Sequence, residues 1–242
     1  MNGKVRAVMR KELRENRRNK LVVGTMAALP LLFFVLPLVS VLALTATTSY
    51  QTIKGAVGSA ELWLLLLPLL LPTIVAGYAV VGERDQGTIE PVLTTPVRRE
   101  EFILGKALAA FVPTLSLAYS LYVAFLVIVR LFAIHEAFHL VTEPAELIAL
   151  AVFAPLFAAF SIWVGLAISV RASDVRVAQQ LSGLAVLPII GVLALFTFRV
   201  ISPTVTVAII IAVLLIVIDF ASWRMVSGMF DRERVLTRYG RS

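Results

Sequence analysis

Six long apolar stretches divide this chain, and they constrain its fold more than any other feature. They run Leu21–Thr47, Glu61–Gly82, Ala107–Val129, Ala145–Ser169, Leu181–Phe198 and Thr204–Ser222. A helix rises about 1.5 Å per residue, so roughly 20 apolar residues cross a hydrocarbon layer ~30 Å thick. Spanning backbone finds no water there and must satisfy its own hydrogen bonds, which for runs of this length means helices. Charged residues make up only 15% of the chain and hydrophobic ones 60%, against about 25% charged in a soluble domain. The expected fold is an all-α membrane protein with six transmembrane helices. A soluble enzyme, a disordered tail and a nucleic-acid reader are excluded. The chain has no cysteine, which removes thiol catalysis, Cys-ligated metal and disulfides. The first run of 27 residues is too long for the apolar core of a cleaved signal.

The net charge of +7 sorts by loop. Nineteen of the 22 Lys and Arg fall in the N-terminal segment, the loops after spans two and four, and the C-terminal tail. Lys54, Arg130 and Arg199 fall on the other side. By the positive-inside rule both termini are cytoplasmic, and the expected location is a plasma (inner) membrane crossed several times. Residues 1–20 are expected to form an amphipathic helix on the cytoplasmic interface. Val5, Val8, Met9 and Leu13 lie on one arc, Glu12 and Asn16 intrude on it, and Arg6, Arg10, Arg14 and Arg17 lie beyond. Residues 21–222 form the six-helix domain and 223–242 a basic tail.

Prolines recur within the spans, at 30, 37, 68, 72, 113, 155 and 188. Each frees a backbone carbonyl that neighbouring helices must satisfy. They read equally as hinges around a pathway or as the ordinary proline content of membrane helices. No three-plus-three internal repeat is evident, which argues against a self-contained secondary transporter. Glu61 opens the second span at its positive end, and Asp219 lies within reach of Arg224, so no charge stands at mid-membrane.

The longest polar interruption between spans is Gly82–Lys106, GERDQGTIEPVLTTPVRREEFILGK. Gly87 can end the second span, and Thr88–Leu93 gives a short segment with Ile89, Val92 and Leu93 on one side. Thr95-Pro96 reads as a helix start, a hydroxyl N-cap followed by proline at the first helical position. Glu100 and Glu101 follow near that positive end.

This loop resembles the first cytoplasmic loop of ABC-2 type transporter permeases. The matching positions are Glu83, Arg84, Gly87, Thr88, Glu90, Leu93, Thr95, Pro96, Arg99, Glu101, Gly105 and Lys106. Arg176–Pro188 resembles the family more weakly. The resemblance implies a membrane-spanning permease subunit of an ABC transporter, an exporter, whose 83–106 loop carries a coupling helix seated on a separate ATPase subunit. It also implies a second permease subunit, either a second copy or a paralogue. No phosphate loop of the form GxxxxGK[ST] occurs, since Gly105-Lys106 is followed by alanine and position 100 is glutamate. The chain is therefore expected to be no enzyme and to hold no cofactor, with ATP and Mg bound by the partner.

One motif from another class competes. His135-Glu136-Ala137-Phe138-His139 matches HExxH, which on a helix sets two imidazoles on one face with glutamate as general base. A zinc-dependent membrane protease would also need a third ligand, and only Glu143 and Glu146 lie nearby, beyond Pro144. His135 and His139 are thus weak metal candidates, and an amphipathic turn beneath Phe138 and Leu140 is the simpler reading. Glu100-Glu101 lacks the arginine that paired-glutamate intramembrane proteases need four residues on, where Gly105 stands. Both histidines lie outside the spans, which removes an intramembrane Ser–His pair.

Overall fold

The computed structural model describes residues 3–85, 98–197 and 204–229, all in helices and short connections with no strand among them. The helices are α1 (Gly3–Arg18), α2 (Lys20–Leu42), α3 (Tyr50–Tyr78), α4 (Val81–Asp85), α5 (Arg99–Phe132), α6 (His135–Val141), α7 (Pro144–Arg171), α8 (Val175–Ala185), α9 (Leu187–Thr197) and α10 (Val205–Met229). Five stretches are long and apolar enough to cross a membrane: Tyr50–Arg84, Glu100–Phe132, Pro144–Arg171, Val175–Thr197 and Val205–Met229. The first apolar helix, α2, has 23 residues with Pro30 and Pro37 inside it.

The bundle is built around α3. Its most apolar window is 72% buried, against 11–33% for the other four spans. Lipid is as apolar as leucine, so helices associate there by close packing rather than by the hydrophobic effect. The contact between α3 and α7 follows that rule. On α7 the buried residues Ala154, Ala158, Ser161, Gly165 and Ser169 make one stripe of small side chains. A Cβ on Gly165 would lie 2.8 Å from the Ala76 Cβ and 3.3 Å from the Gly77 nitrogen, so only glycine lets the backbones approach this closely. Ser161 Oγ donates to the Leu69 carbonyl at 2.6 Å, within the stretch of α3 interrupted by Pro68 and Pro72. Ser169 Oγ accepts from the Val80 and Val81 amides, both at 3.0 Å. Those two bonds occupy the backbone donors at the break between α3 and α4.

The bundle has two ends. The basic end gathers α1, α4, the start of α5, the end of α7 and the start of α8. The far end gathers the start of α3, the end of α5, all of α6 and the start of α7. One apolar cluster with Leu67, Phe125, Val129 and Phe157 fills the middle and far end. A second, with Ala76, Ile103, Ile162 and Leu166, fills the basic end.

Three expectations are corrected. The second span does not open at Glu61: Ser49 caps α3, and Glu61 lies eleven residues inside the helix. The stretch 181–198 is not one helix. Val186 ends α8 and α9 starts at Leu187, which puts Pro188, without an amide donor, in a first turn where none is needed. Asp219 does not pair with Arg224; it is buried with neither carboxylate oxygen bonded, while the Arg224 guanidinium lies 5.8 Å from the Phe220 ring centre.

Candidate functional site

The densest polar construction is at the basic end, where the roots of the 83–106 loop meet α1. Lys106, about two turns into α5, has a side chain only 1% exposed. Its ammonium donates to Glu12 Oε1 at 2.7 Å and to the Ala79 carbonyl at 2.7 Å, and stands 3.1 Å from Glu83 Oε2. Lys11 closes the ring by donating to Glu83 Oε1 and lies 3.4 Å from Glu15. Four charges from α1, α4 and α5 thus satisfy one another in a buried setting, the condition under which buried ions are tolerated. Burial pushes the Glu12 carboxyl above the ordinary carboxylate range, against the opposing charge of Lys106. Burial also opposes the Lys11 charge, but the hydrogen bond and charge of Glu83 outweigh it and hold Lys11 above its ordinary 10.5.

Gly105 sits beside this cluster for a steric reason. A Cβ there would lie 2.6 Å from the Val8 side chain and 3.3 Å from the Val5 carbonyl. The Gly105-Lys106 pair therefore does two things: the glycine lets α1 lie against α5, and the lysine fixes it there. Arg84 fastens the other root, donating to the Ala172 carbonyl and, at 2.8 Å, to the Ser173 carbonyl. Asp174 then caps α8, its Oδ1 accepting from the amides of Arg176 at 2.8 Å and Val177 at 3.0 Å. The Val177 and Arg176 amides hold the Asp174 carboxyl below the usual carboxylate range. At the start of α5, Glu101 accepts from the Arg98 amide at 2.9 Å.

Of the loop positions singled out in the sequence, Glu83, Arg84, Gly105 and Lys106 converge on α1 and α7, while Arg99 and Glu101 lie in the first turn of α5. Gly87, Thr88, Glu90, Leu93, Thr95 and Pro96 fall outside the described residues. The expected helix start at Thr95-Pro96 therefore also lies outside them; among the described residues Arg98 is extended and α5 begins at Arg99. Sequence reasoning missed Lys11 and Glu12. The signal was there, since Glu12 intrudes on the apolar arc of α1, and an acid on a face that must be buried calls for a buried cation.

The HExxH segment does form a helix, α6, but its buried positions are Ala137, Leu140 and Val141. His135, Glu136 and His139 are exposed on the opposite side, and the Arg130 guanidinium lies 4.9 Å from the Phe138 ring centre. The apolar side of this turn anchors the far end of the bundle against α3. Among the described residues, the one group of three potential metal ligands close together is Glu12, Glu15 and Glu83. Each of the three is already paired with Lys11 or Lys106, so those carboxylates serve as ion-pair partners.

No match was found among curated proteins. A family model described as ABC-2 family transporter protein matches residues 6–219, from the second turn of α1 through most of α10. The chain belongs to that family of membrane transport components.

Proposed function

We propose that this permease is the membrane-spanning subunit of an ATP-driven exporter. It crosses a plasma (inner) membrane six times, with α2 as the first crossing and both termini cytoplasmic. Two permease subunits, two copies or one copy with a paralogue, form the pathway. A separate ABC ATPase binds ATP and Mg and docks on the 83–106 loop.

The observation that carries this reading is the Lys106–Glu12–Glu83 cluster. It joins both roots of the loop, α4 on one side and α5 on the other, to each other and to α1. A force applied to residues 86–97 therefore reaches α3 and α5 as one body rather than bending a slack connection. Arg84 extends the same body to the end of α7. When the ATPase subunits close on ATP, the loops they hold move together. α3 transmits that movement through its long contact with α7 toward the far end, where the pathway opens.

Helix α1 is the second part of the device. Its exposed side carries Arg10, Arg14, Arg17 and Arg18 around one open groove, a charge pattern suited to anionic headgroups of the cytoplasmic leaflet. Pinned to α5 on one side and to the bilayer surface on the other, α1 gives the moving roots a fixed reference. The test is to purify the affinity-tagged chain from its native membranes. A polypeptide with ATPase activity should accompany it in stoichiometric amount; recovery without any ATP-hydrolysing partner would contradict the proposal.

A further inference from the structure

Helix α1 turns Val8 and Glu12 toward α5. With about 3.6 residues per turn, Arg10, Arg14 and Arg17 fall on the opposite side. Together with Arg18 and Leu13 they line an open groove of about 610 Å³, and all four arginines are exposed. Arginines three and four positions apart are neighbours on a helix, and like charges so placed repel one another. The acids of α1 do not relieve them: Glu12 is bonded to Lys106, and Glu15 lies 3.4 Å from Lys11. Among the described residues none of the four arginines has an acidic partner.

Position decides which anion fits. Only Asn19 separates α1 from α2, and helical hydrogen bonds run through it. Its amide donates to the Glu15 carbonyl at 3.1 Å, and its carbonyl accepts from the Val23 amide at 2.9 Å. Arg17 and Arg18 therefore stand within a turn of the start of α2, at the level where the chain enters the bilayer and lipid phosphates lie. A half-buried leucine among the arginines suits a ligand with an apolar body beside its charge, which a free phosphate lacks. Resting on the reading of α1 as a surface helix, we infer that this groove seats the phosphate of an anionic phospholipid of the cytoplasmic leaflet, and that its occupancy keeps α1 docked on α5. Guanidinium forks bond phosphate oxygens, and the lipid's charge offsets the repulsion among the four arginines. A ligand that binds the ordered helix and not the unravelled one stabilises it by mass action. The other side of α1 supplies Lys11 and Glu12 to the cluster at the loop roots, so the lipid acts on that cluster through the helix. A leaflet poor in anionic lipid loosens it.

The test uses the full-length permease without an ATPase, in phosphatidylcholine nanodiscs with and without phosphatidylglycerol. Native mass spectrometry measures the phosphatidylglycerol retained. Val5→Cys, the variant's only cysteine because the chain has none, reports release of α1 through labelling by a water-soluble maleimide. Each arginine near the surface contributes about a fivefold factor in affinity, so Arg14→Gln with Arg17→Gln should weaken phosphatidylglycerol binding about 25-fold. Phosphatidylglycerol should slow labelling in the wild-type background and leave it unchanged in that double variant. Arg10→Gln with Arg14→Gln is a second groove pair, and monodisperse elution verifies the fold of each. Arg171→Gln with Arg176→Gln removes the same charge from exposed positions outside the groove and should keep both wild-type responses. Equal losses from groove and control pairs would reduce the effect to net charge and overturn the inference. So would wild-type affinity in the groove variants, or inorganic phosphate slowing the labelling equally in pure phosphatidylcholine. A permease that responds to the lipid yet recovers no ATPase from native membranes would leave the lipid site standing and contradict only the function proposed above.

Discussion

The ammonium of Lys106 and the carboxylate of Glu12 meet at 2.7 Å across 94 residues of sequence, and that contact fastens the N-terminal helix to the bundle. Removing one partner strands the other charge in a buried site. Breaking a buried pair in this way costs about 3–5 kcal/mol, whereas removing both can be nearly neutral. Lys106→Met should therefore lower the thermal midpoint of the purified permease and expose Val5→Cys to a water-soluble maleimide. Lys106→Met combined with Glu12→Gln should recover much of that loss. An additive double mutant would show that the two residues act separately.

Gly105→Ala tests the steric half of the same contact. The added methyl meets the Val8 side chain and the Val5 carbonyl, and overpacking of this kind costs about 1–3 kcal/mol. Labelling of Val5→Cys should rise in this variant while the α3–α7 contact stays intact. Unchanged labelling would mean that α1 shifts without cost.

These two residues also show how far the sequence was legible. The spans could be read because roughly 20 apolar residues in a row have one stable solution in a bilayer. The Gly105-Lys106 pair could be read as part of a loop motif and Glu12 as an intruder on an apolar arc, but their pairing could not, because a contact across 94 positions leaves no local pattern. Glu61 was misread for a related reason. A charge between apolar residues looks like a span boundary, yet the helix runs from Tyr50 to Tyr78 with no break at Glu61. The break at Val186 lay in plain sight as Pro188 but was passed over, since proline is common in membrane helices.

The cap of α8 supplies a pH prediction. The Asp174 carboxyl is held below its ordinary value by the amides of Val177 and Arg176, so its ionised form is favoured in the folded state. Its contribution is present above its ordinary value of 3.8 and is lost as the pH falls through the lower folded value. Lys11 works in the opposite sense: its contribution is present below 10.5 and lost as the pH rises through its raised folded value. Asp174→Ala should flatten the acid limb of the stability profile, followed by thermal unfolding between pH 2 and 6. Asp174→Asn should keep the hydrogen bonds and lose only the pH dependence.

The exposed HExxH helix makes a plain contrast. Glu136→Gln and His139→Ala fall on exposed positions, so each should change stability by less than about 0.5 kcal/mol and leave transport intact. Replacing Leu140, buried on the other side of the same helix, by Asp should destabilise the protein. Stoichiometric zinc in the wild type, with activity lost in Glu136→Gln, would favour the protease.

Orientation is tested by reporters fused at Met1 and Ser242. Both should be active in the cytoplasm, from the distribution of the 22 basic residues and an even number of crossings. Termini on opposite sides would mean that α2, or the broken pair α8 and α9, does not cross.

The central claim is that the 83–106 loop receives the ATPase, and Leu93→Asp tests it most directly. A charge buried at a docking surface costs several kcal/mol, whereas on a solvated loop it costs almost nothing. The measurement is recovery of the ATP-hydrolysing polypeptide with the tagged permease from native membranes, with expression level and thermal midpoint as controls. The account predicts a normally folded Leu93→Asp permease that has lost its ATPase and its transport. Wild-type recovery of the ATPase with full transport in that variant would contradict it.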